Sequence, residues 1–377
     1  MHASLDPYDA VLLVSFGGPE GPDDVLPFLE NVTRGRGIPR ERLAEVGKHY
    51  SLFGGRSPIN DQCRELLAAL RGELDRRGIA TPLYWGNRNW RPYLADTVAE
   101  LAAAGHRRVL ALVTSAYPSY SSCRQYRENL YDAAAGRPLR IDRIRHYATH
   151  PGFVTAGVEA TLAALAELGD IGDRARLIFV THSVPTVMAE TAGPEPRTAT
   201  GAYVDWHAAV AREVARQVGS RRGIDYAHEL CYCSRSGPPQ QRWLDPDVNE
   251  RLAELAAAGV PAVVAVPIGF VSDHMEVIFD LDTEAARTAV DNGLAFARAA
   301  TAGTHPVFVR ALADLLYERS AVARGEQTDT AVITAGELGW YACEPGCCPN
   351  LRDPDRPALC GAEHAGQSGN SGRSPVL

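Results

Sequence analysis

The chain has 377 residues, 45% hydrophobic and 22% charged, a soluble globular composition long enough for about two domains of roughly 100–200 residues each. Its 38 Lys+Arg against 46 Asp+Glu give a formal net charge of -8, and no Lys/Arg cluster resembles a duplex-reading surface, so a nucleic-acid partner is excluded as the primary reading. The opening residues carry no basic segment followed by an apolar stretch and a cleavage site, and the longest nearly apolar run, residues 260–271, falls short of the about 20 residues a spanning helix needs. A cytoplasmic protein with no transmembrane segment is expected.

In chain order, apolar runs rich in Val, Leu and Ile occupy residues 8–19, 81–87, 107–118, 174–185, 226–239 and 260–274, each closed by small or turn residues. Continuous apolar runs of this kind suit parallel strands covered on both faces. Amphipathic helices are predicted between them, at 59–78, 94–105, 154–169, 203–219 and 247–259, several ending in Gly. Strand alternating with helix predicts an α/β fold, doubly wound around a parallel sheet. The pattern runs twice, which predicts one domain over residues 1–150 and a second over 151–305, facing each other across a central cleft. A further helix and connector cover 306–335, a Cys-rich segment 336–362, and a Gly/Ser-rich tail, expected to be disordered, 363–377.

Ligands of such sheets bind at the C-terminal ends of the strands. Ser15, Phe16 and Gly17, Thr114 and Ser115, Thr181, His182 and Ser183, Ser234, Arg235 and Ser236, and Ser272, Asp273 and His274 are therefore cleft candidates. No GxGxxG follows the first strand, Pro19 and Pro22 spoil a helix start there, and no GxxxxGK[ST] loop occurs, so an ordinary NAD enzyme or nucleotidase is not expected.

Three groups of residues carry possible chemistry. His182 closes a very apolar strand, and imidazole both titrates near neutrality and ligates borderline metals; the bland alternative is a histidine satisfied by a backbone partner. Glu276, Asp280 and Glu284 are four apart, which on a helix forms a column of carboxylates, for cations or protons or simply as a solvated acidic face. Cys343, Cys347, Cys348 and Cys360 crowd the C-terminal end, whereas Cys63, Cys123, Cys231 and Cys233 are scattered. Clustered thiols without an export signal suit zinc or an iron–sulfur cluster, and adjacent cysteines fit a zinc knuckle poorly.

The segments LLVSFGGPEGPDDVLPFLENVTRGR, FGGRSPIN, GNRNW, TSAYPSYSSCRQY, THSVPT, SRSGPPQ and PIGFVSDHMEVIFDLD, in this order, resemble the ferrochelatase family, in particular its actinobacterial coproporphyrin type, over about residues 8–320. The resemblance implies two Rossmann-like domains around a porphyrin cleft, and an enzyme, a lyase of haem biosynthesis, that inserts ferrous iron into coproporphyrin III with release of two protons. By the same resemblance His182 accepts a pyrrole proton or holds iron, Glu276 lies across from it and shares the metal, and Asp280 and Glu284 continue the route for protons or iron. Ser57 and Tyr126 match porphyrin- or propionate-contacting positions, with Tyr50 and Arg34 as further candidates. Phe16 stands where many relatives have a tyrosine; phenylalanine offers no oxygen, so no axial ligand is assigned. Members with a [2Fe–2S] cluster take three ligands from the tail and one from the YPxYSxC region, which points to Cys123 with Cys343, Cys347 and Cys348, Cys360 being the alternative. Protoporphyrin IX as substrate, a cobalt-inserting relative, and a non-catalytic haem or iron–sulfur binding protein are the competing readings. A haem-pathway enzyme is a possible partner.

Overall fold

The computed structural model describes residues 4–237, 240–334, 336–344 and 346–359. The first half runs β1 (Ala10–Ser15), α1 (Pro22–Val32), α2 (Arg40–Ser51), α3 (Ile59–Arg76), β2 (Leu83–Asn87), α4 (Leu94–Ala103), β3 (Arg108–Val113), a π-turn (Tyr120–Arg124), α5 (Gln125–Ala134) and β4 (Arg140–Arg143). The second runs α6 (Pro151–Glu167), a 3-10 turn (Gly169–Arg174), β5 (Ala175–His182), α7 (Thr186–Glu190), α8 (Gly201–Arg222), β6 (His228–Cys233), α9 (Val248–Ala257), β7 (Ala262–Val266), α10 (Met275–Phe279), a second π-turn (Asp280–Ala285), α11 (Ala286–Asp291) and β8 (Ala295–Arg298). A last helix, α12 (Pro306–Ala323), returns to pack on α3 and α6.

Two parallel four-stranded sheets result, ordered β2-β1-β3-β4 and β6-β5-β7-β8. The orders are the same when the halves are superposed in sequence, so β1 and β5 occupy equivalent places, each at the point where the strand order reverses. That is where open α/β sheets bind ligands. The apolar runs form the central strands: β1 is buried along its whole length, and so are all but two residues of β5. One core is continuous between the halves, joining Leu13 and Leu66 to Leu177, Trp206 and Phe308, while the far face of each sheet has its own smaller core. No helix of the described residues is long and apolar enough to cross a membrane.

Several expectations need correction. Pro22 does not spoil a helix; it is the first residue of α1, where a missing N–H is harmless because that group has no intrahelical partner. The edge strands β4 and β8 escaped the sequence reading, because RIDR and AFAR are short and partly polar. The helix expected to end at Gly219 continues to Arg222 and is stopped by Gly223, whose φ of 72° is left-handed. The stretch assigned as the disordered tail, residues 363–377, and Cys360 lie outside the described residues.

Candidate active site

The two sheets present different walls to a common cleft. On the second, β5 delivers His182 as its last residue, paired in register with Cys233 of β6. The His182 backbone is pinned: its carbonyl accepts from the Tyr203 hydroxyl at 2.8 Å, and the Ser183 N–H donates to Cys233 O at 2.8 Å. Its ring Nδ1 bonds the Ser183 carbonyl. A carbonyl only accepts, so Nδ1 is the donor there, and Nε2 is the ring nitrogen turned to the cleft. Nε2 faces Glu276, 3.6 Å from Oε2. The imidazole is one-third and the carboxylate one-half exposed, so both are reachable from the cleft.

The spacing is chemically informative. It is too long for a good hydrogen bond. With bond lengths of about 2.1 Å, as for imidazole or carboxylate on a first-row dication, an angle of about 120° at a shared ion spans it. Among the described residues no three His, Cys, Asp or Glu side chains converge on one ion position. An ion at this pair therefore keeps coordination positions open, as a cargo ion needs and a structural ion does not.

The same spacing qualifies the expectation that Glu276 lies across from His182: the two are close enough to share a metal, but no macrocycle fits between them. A flat ring between them would need about 7 Å, two van der Waals contacts of about 3.5 Å each. They stand as a pair on one wall, and a ring must lie against both from the same side.

Behind the pair comes the acidic column, but not on one regular helix. Glu276 lies in α10, while Asp280 opens the π-turn, and Glu284 follows within it. The π-turn widens the helix just where the carboxylates crowd, a distortion that recurs at functional sites. Ser234, held at a left-handed φ of 60°, donates its hydroxyl to Asp280. Burial, opposed by that hydrogen bond and reinforced by the charges of Glu276 and Glu284, pushes the Asp280 carboxyl up to about 7. Asp273 and Asp282 nearby are neutralised by Arg298, at 3.1 Å and 2.6 Å. The column itself has no Arg or Lys partner among the described residues, so its negative charge is left for something else. His274, packed 5.1 Å from Phe270, is held neutral by burial despite Glu276, its Nδ1 being 3.9 Å from that carboxylate.

The first sheet supplies an aromatic and cationic wall. Phe16 follows β1 directly and packs edge-on against Phe28 of α1, which meets Tyr50 of α2 and Trp90 in the same way. This cluster reaches the second half through Met275, Ile278 and Phe279, so it borders the Glu276 side of the cleft. Gly17 is required at the end of β1: its φ is 81°, and a Cβ there would meet Asn87 Cβ at 2.7 Å. Tyr50 is nearly buried, and burial together with the Glu276 charge raises its phenol, keeping the hydroxyl protonated. Tyr126, on α5, is buried under Arg88, whose guanidinium lies 4.5 Å from its ring centre and 5.5 Å from that of Phe16. Arg34 is exposed after α1 and has no ion-pair partner among the described residues. Ser57 is 3% exposed and wedged against Gly18, so it shapes the turn after β1 and offers a ligand little surface. The sequence reading missed Arg88 as a site residue, although it immediately follows β2 and the strand-end rule applied to that strand too.

A second cluster lies where the turn before α5 meets the C-terminal segment. Cys123 of the first π-turn and the tail cysteines Cys343, Cys347 and Cys348 are all buried and adjoin one another, with 3.9 Å between the Cys347 and Cys348 sulfurs. Arg143 donates to Cys343 Sγ at 2.9 Å and the Gly193 N–H to Cys348 Sγ at 3.2 Å. Hydrogen bonds from Cys123 and Cys347, with the charges of Arg143 and Arg127, hold the Cys343 thiol well below its ordinary value against the effect of burial. Cys347 and the Gly193 amide lower Cys348 likewise, whereas Cys123 and Cys347 are raised.

Comparison with known proteins agrees with this geometry. The ferrochelatase family profile matches residues 8–320. A coproporphyrin III ferrochelatase of Streptomyces coelicolor is 55% identical over 365 residues, covering 95% of this chain and 97% of the relative. One from Leifsonia xyli is 48% identical over 372 residues, 94% of both chains, and a ferrochelatase of Rhodopirellula baltica 46% identical over 367, 95% and 98%. Among solved structures, SirB from Bacillus subtilis with Fe3+ shares the fold at 13% identity, with a TM-score of 0.50 over 84% of this chain and 97% of that one. Taken with the paired imidazole and carboxylate at the second switch point, these matches show that the chain belongs to the ferrochelatase family, lyases that insert ferrous iron into a porphyrin.

Proposed function

We propose that this protein inserts ferrous iron into coproporphyrin III, with His182 and Glu276 as the reacting pair. The observation that carries the reading is His182 Nε2 held 3.6 Å from the Glu276 carboxylate, both partly exposed, with an acidic column without Arg or Lys partners among the described residues continuing from Glu276. Relatives at 45–55% identity over most of the chain carry the coproporphyrin III name, which favours this porphyrin over protoporphyrin IX.

Metallation exchanges two pyrrole protons for one dication. Nε2 of His182 accepts a pyrrole proton, and Glu276 stabilises the imidazolium that forms. Asp280, which titrates near neutrality, is suited both to take a proton and to release it, passing it by way of Glu284 to solvent. Ferrous iron, the other substrate, is attracted by the same column and held briefly by the pair; its passage to the ring frees Nε2 to take the pyrrole proton. The porphyrin lies against Phe16, backed by the buried rings of Tyr50 and Tyr126, while Arg34 and Arg88 meet its propionates. Phe16 has no oxygen to offer and acts by packing.

We further propose that Cys123, Cys343, Cys347 and Cys348 hold a [2Fe–2S] cluster. Four buried thiols, two with lowered pKa, beside Arg143 and Arg127 form a donor set suited to thiolate ligation. When bound, such a cluster supplies one-electron redox chemistry and cross-links the tail to α5; no step of metallation runs through it. A brown protein whose visible bands vanish in Cys123→Ser supports this, and a colourless protein with stoichiometric zinc contradicts it.

The substrate reading is tested by anaerobic iron insertion into porphyrins with four and with two propionates. Faster turnover of the four-propionate porphyrin is expected. Preference for the other makes the protein a protoporphyrin enzyme, and tight binding without turnover of either makes it a carrier.

A further inference from the structure

We propose that Tyr203 is the positioning residue of His182: its hydroxyl supplies the hydrogen bond that the sheet stops providing at the last residue of β5, and so holds the imidazole in line with Glu276. This rests on the reading of His182 as a reacting group.

The need for such a group follows from the sheet. Pairing of β5 with β6 runs on to His182, opposite Cys233, but regular pairing with β7 ends at Phe179, opposite Val266. The C=O of His182 and the N–H of Ser183 belong to one planar trans peptide and point in opposite directions. The Ser183 N–H donates to Cys233 O of β6 at 2.8 Å, so the His182 carbonyl points away from β6, to the side that β7 has left. Gly269, beyond β7, reaches the Val180 carbonyl, to which its N–H donates at 3.2 Å, two residues short of His182. An unpaired carbonyl at His182 would leave the peptide free to turn, and the imidazole with it. The Tyr203 hydroxyl closes this gap at 2.8 Å.

The hydroxyl is itself directed. A carbonyl only accepts, so Tyr203 donates to His182, and its oxygen is left to accept from Thr181 Oγ1, 2.9 Å away. Burial raises the Tyr203 phenol above its ordinary value, so it remains a donor at neutral pH. Gly269 makes room for the chain, since a Cβ there would lie 2.5 Å from Thr181 Cβ. Tyr203 is also fixed from behind. It is buried in the first turn of α8, where the N–H of Ala202 donates to Ala192 O at 3.1 Å. One turn on, His207 Nδ1 donates to the Tyr203 carbonyl at 2.6 Å, and Trp206 Nε1 donates to Glu337 at 3.1 Å. These ties make the phenol a fixed reference for the strand end. Tyr203 bonds the main chain of His182, so it acts on the placement of the imidazole rather than on the reacting atoms.

The test is single-turnover ferrous insertion into prebound coproporphyrin III by the full chain, with porphyrin Kd read by fluorescence quenching. Tyr203→Phe keeps the ring and removes the hydroxyl. Insertion is expected to be about tenfold slower, with Kd within about threefold of the parent. Thr181→Val keeps the shape and removes the donor to Tyr203, and should slow insertion about threefold. Thr181→Ser restores the hydroxyl and is expected to recover that loss. Because Thr181 acts through Tyr203, the double variant Thr181→Val/Tyr203→Phe should be no slower than Tyr203→Phe. Insertion at the parent's rate in Tyr203→Phe, a matching rise in its Kd, or losses that multiply in the double variant overturn the proposal alone. Equal rates in Thr181→Val and Thr181→Ser overturn it even if Tyr203→Phe does not fold. Insertion at the parent's rate in His182→Ala overturns the functional reading, and this proposal with it.

Discussion

The C-terminal ends of β1 and β5 are equivalent positions in two sheets of one strand order, yet they carry opposite chemistry. After β1 come Phe16, a glycine turn and a wall of Phe28, Tyr50 and Trp90, with Arg88 above it. β5 ends in His182, which is met by Glu276 and the carboxylate column that follow the neighbouring strand β7. One sheet offers area and positive charge, which suit a large flat anion. The other offers lone pairs and negative charge, which suit protons and a dication. Duplicating the topology supplies two switch points facing one space, and the loops at each decide what that point does. A metal-inserting enzyme needs this division, because the ion and the ring must arrive separately and meet.

If the division is real, variants of the two walls fail differently. The largest effect outside His182 is expected from Glu276→Gln, which keeps the volume and removes the charge. kcat should fall about a hundredfold, while porphyrin Kd by fluorescence quenching stays within about threefold. An equal rise in Kd would blur the comparison. Arg88→Ala acts on the other wall and should raise KM for coproporphyrin about tenfold, since it removes a cation that lies on two rings. A pure kcat loss there would break the division.

The smallest effect concerns stability. Asp280 has a folded pKa of about 7 against an ordinary carboxyl value of 3.8. Its ionised form is therefore disfavoured by folding, so its contribution becomes less favourable as pH rises from about 4 to 7 and then levels off. Asp280→Asn abolishes this penalty. Its Tm should match the parent near pH 4 and exceed it by about 2–4 °C at pH 8, measured by calorimetry. A gain at pH 4 or a loss at pH 8 would show that the carboxylate is better accommodated than its burial implies.

Much of this architecture was legible in the residues. The long apolar runs gave the central strands, because a strand covered on both faces must be apolar throughout. RIDR and AFAR were not legible, because edge strands tolerate polar residues and are recognised only by their neighbours. Pro22 was misjudged because proline reads as a breaker unless the first helical turn is already located. His182 and the carboxylate spacing were visible at strand ends. Their proximity was not, since residues 94 positions apart meet only through the sheet. The π-turn was equally hidden, because i+4 spacing is the same for an α-helix and for a widened one. Arg88 looks like an ordinary solvated charge in a sequence, and only its place over the Phe16 and Tyr126 rings sets it apart. The tail cysteines pointed to ligation by their crowding, and Cys123 joined them through the resemblance of its motif.

The central claim is that His182 performs chemistry on a porphyrin that the opposite wall binds. Its most direct test is a single-turnover measurement of anaerobic ferrous insertion into prebound coproporphyrin III, comparing the parent with His182→Ala. The account predicts insertion at least about a hundredfold slower in the variant, with porphyrin Kd unchanged within about threefold. Insertion at the parent's rate in His182→Ala would contradict it.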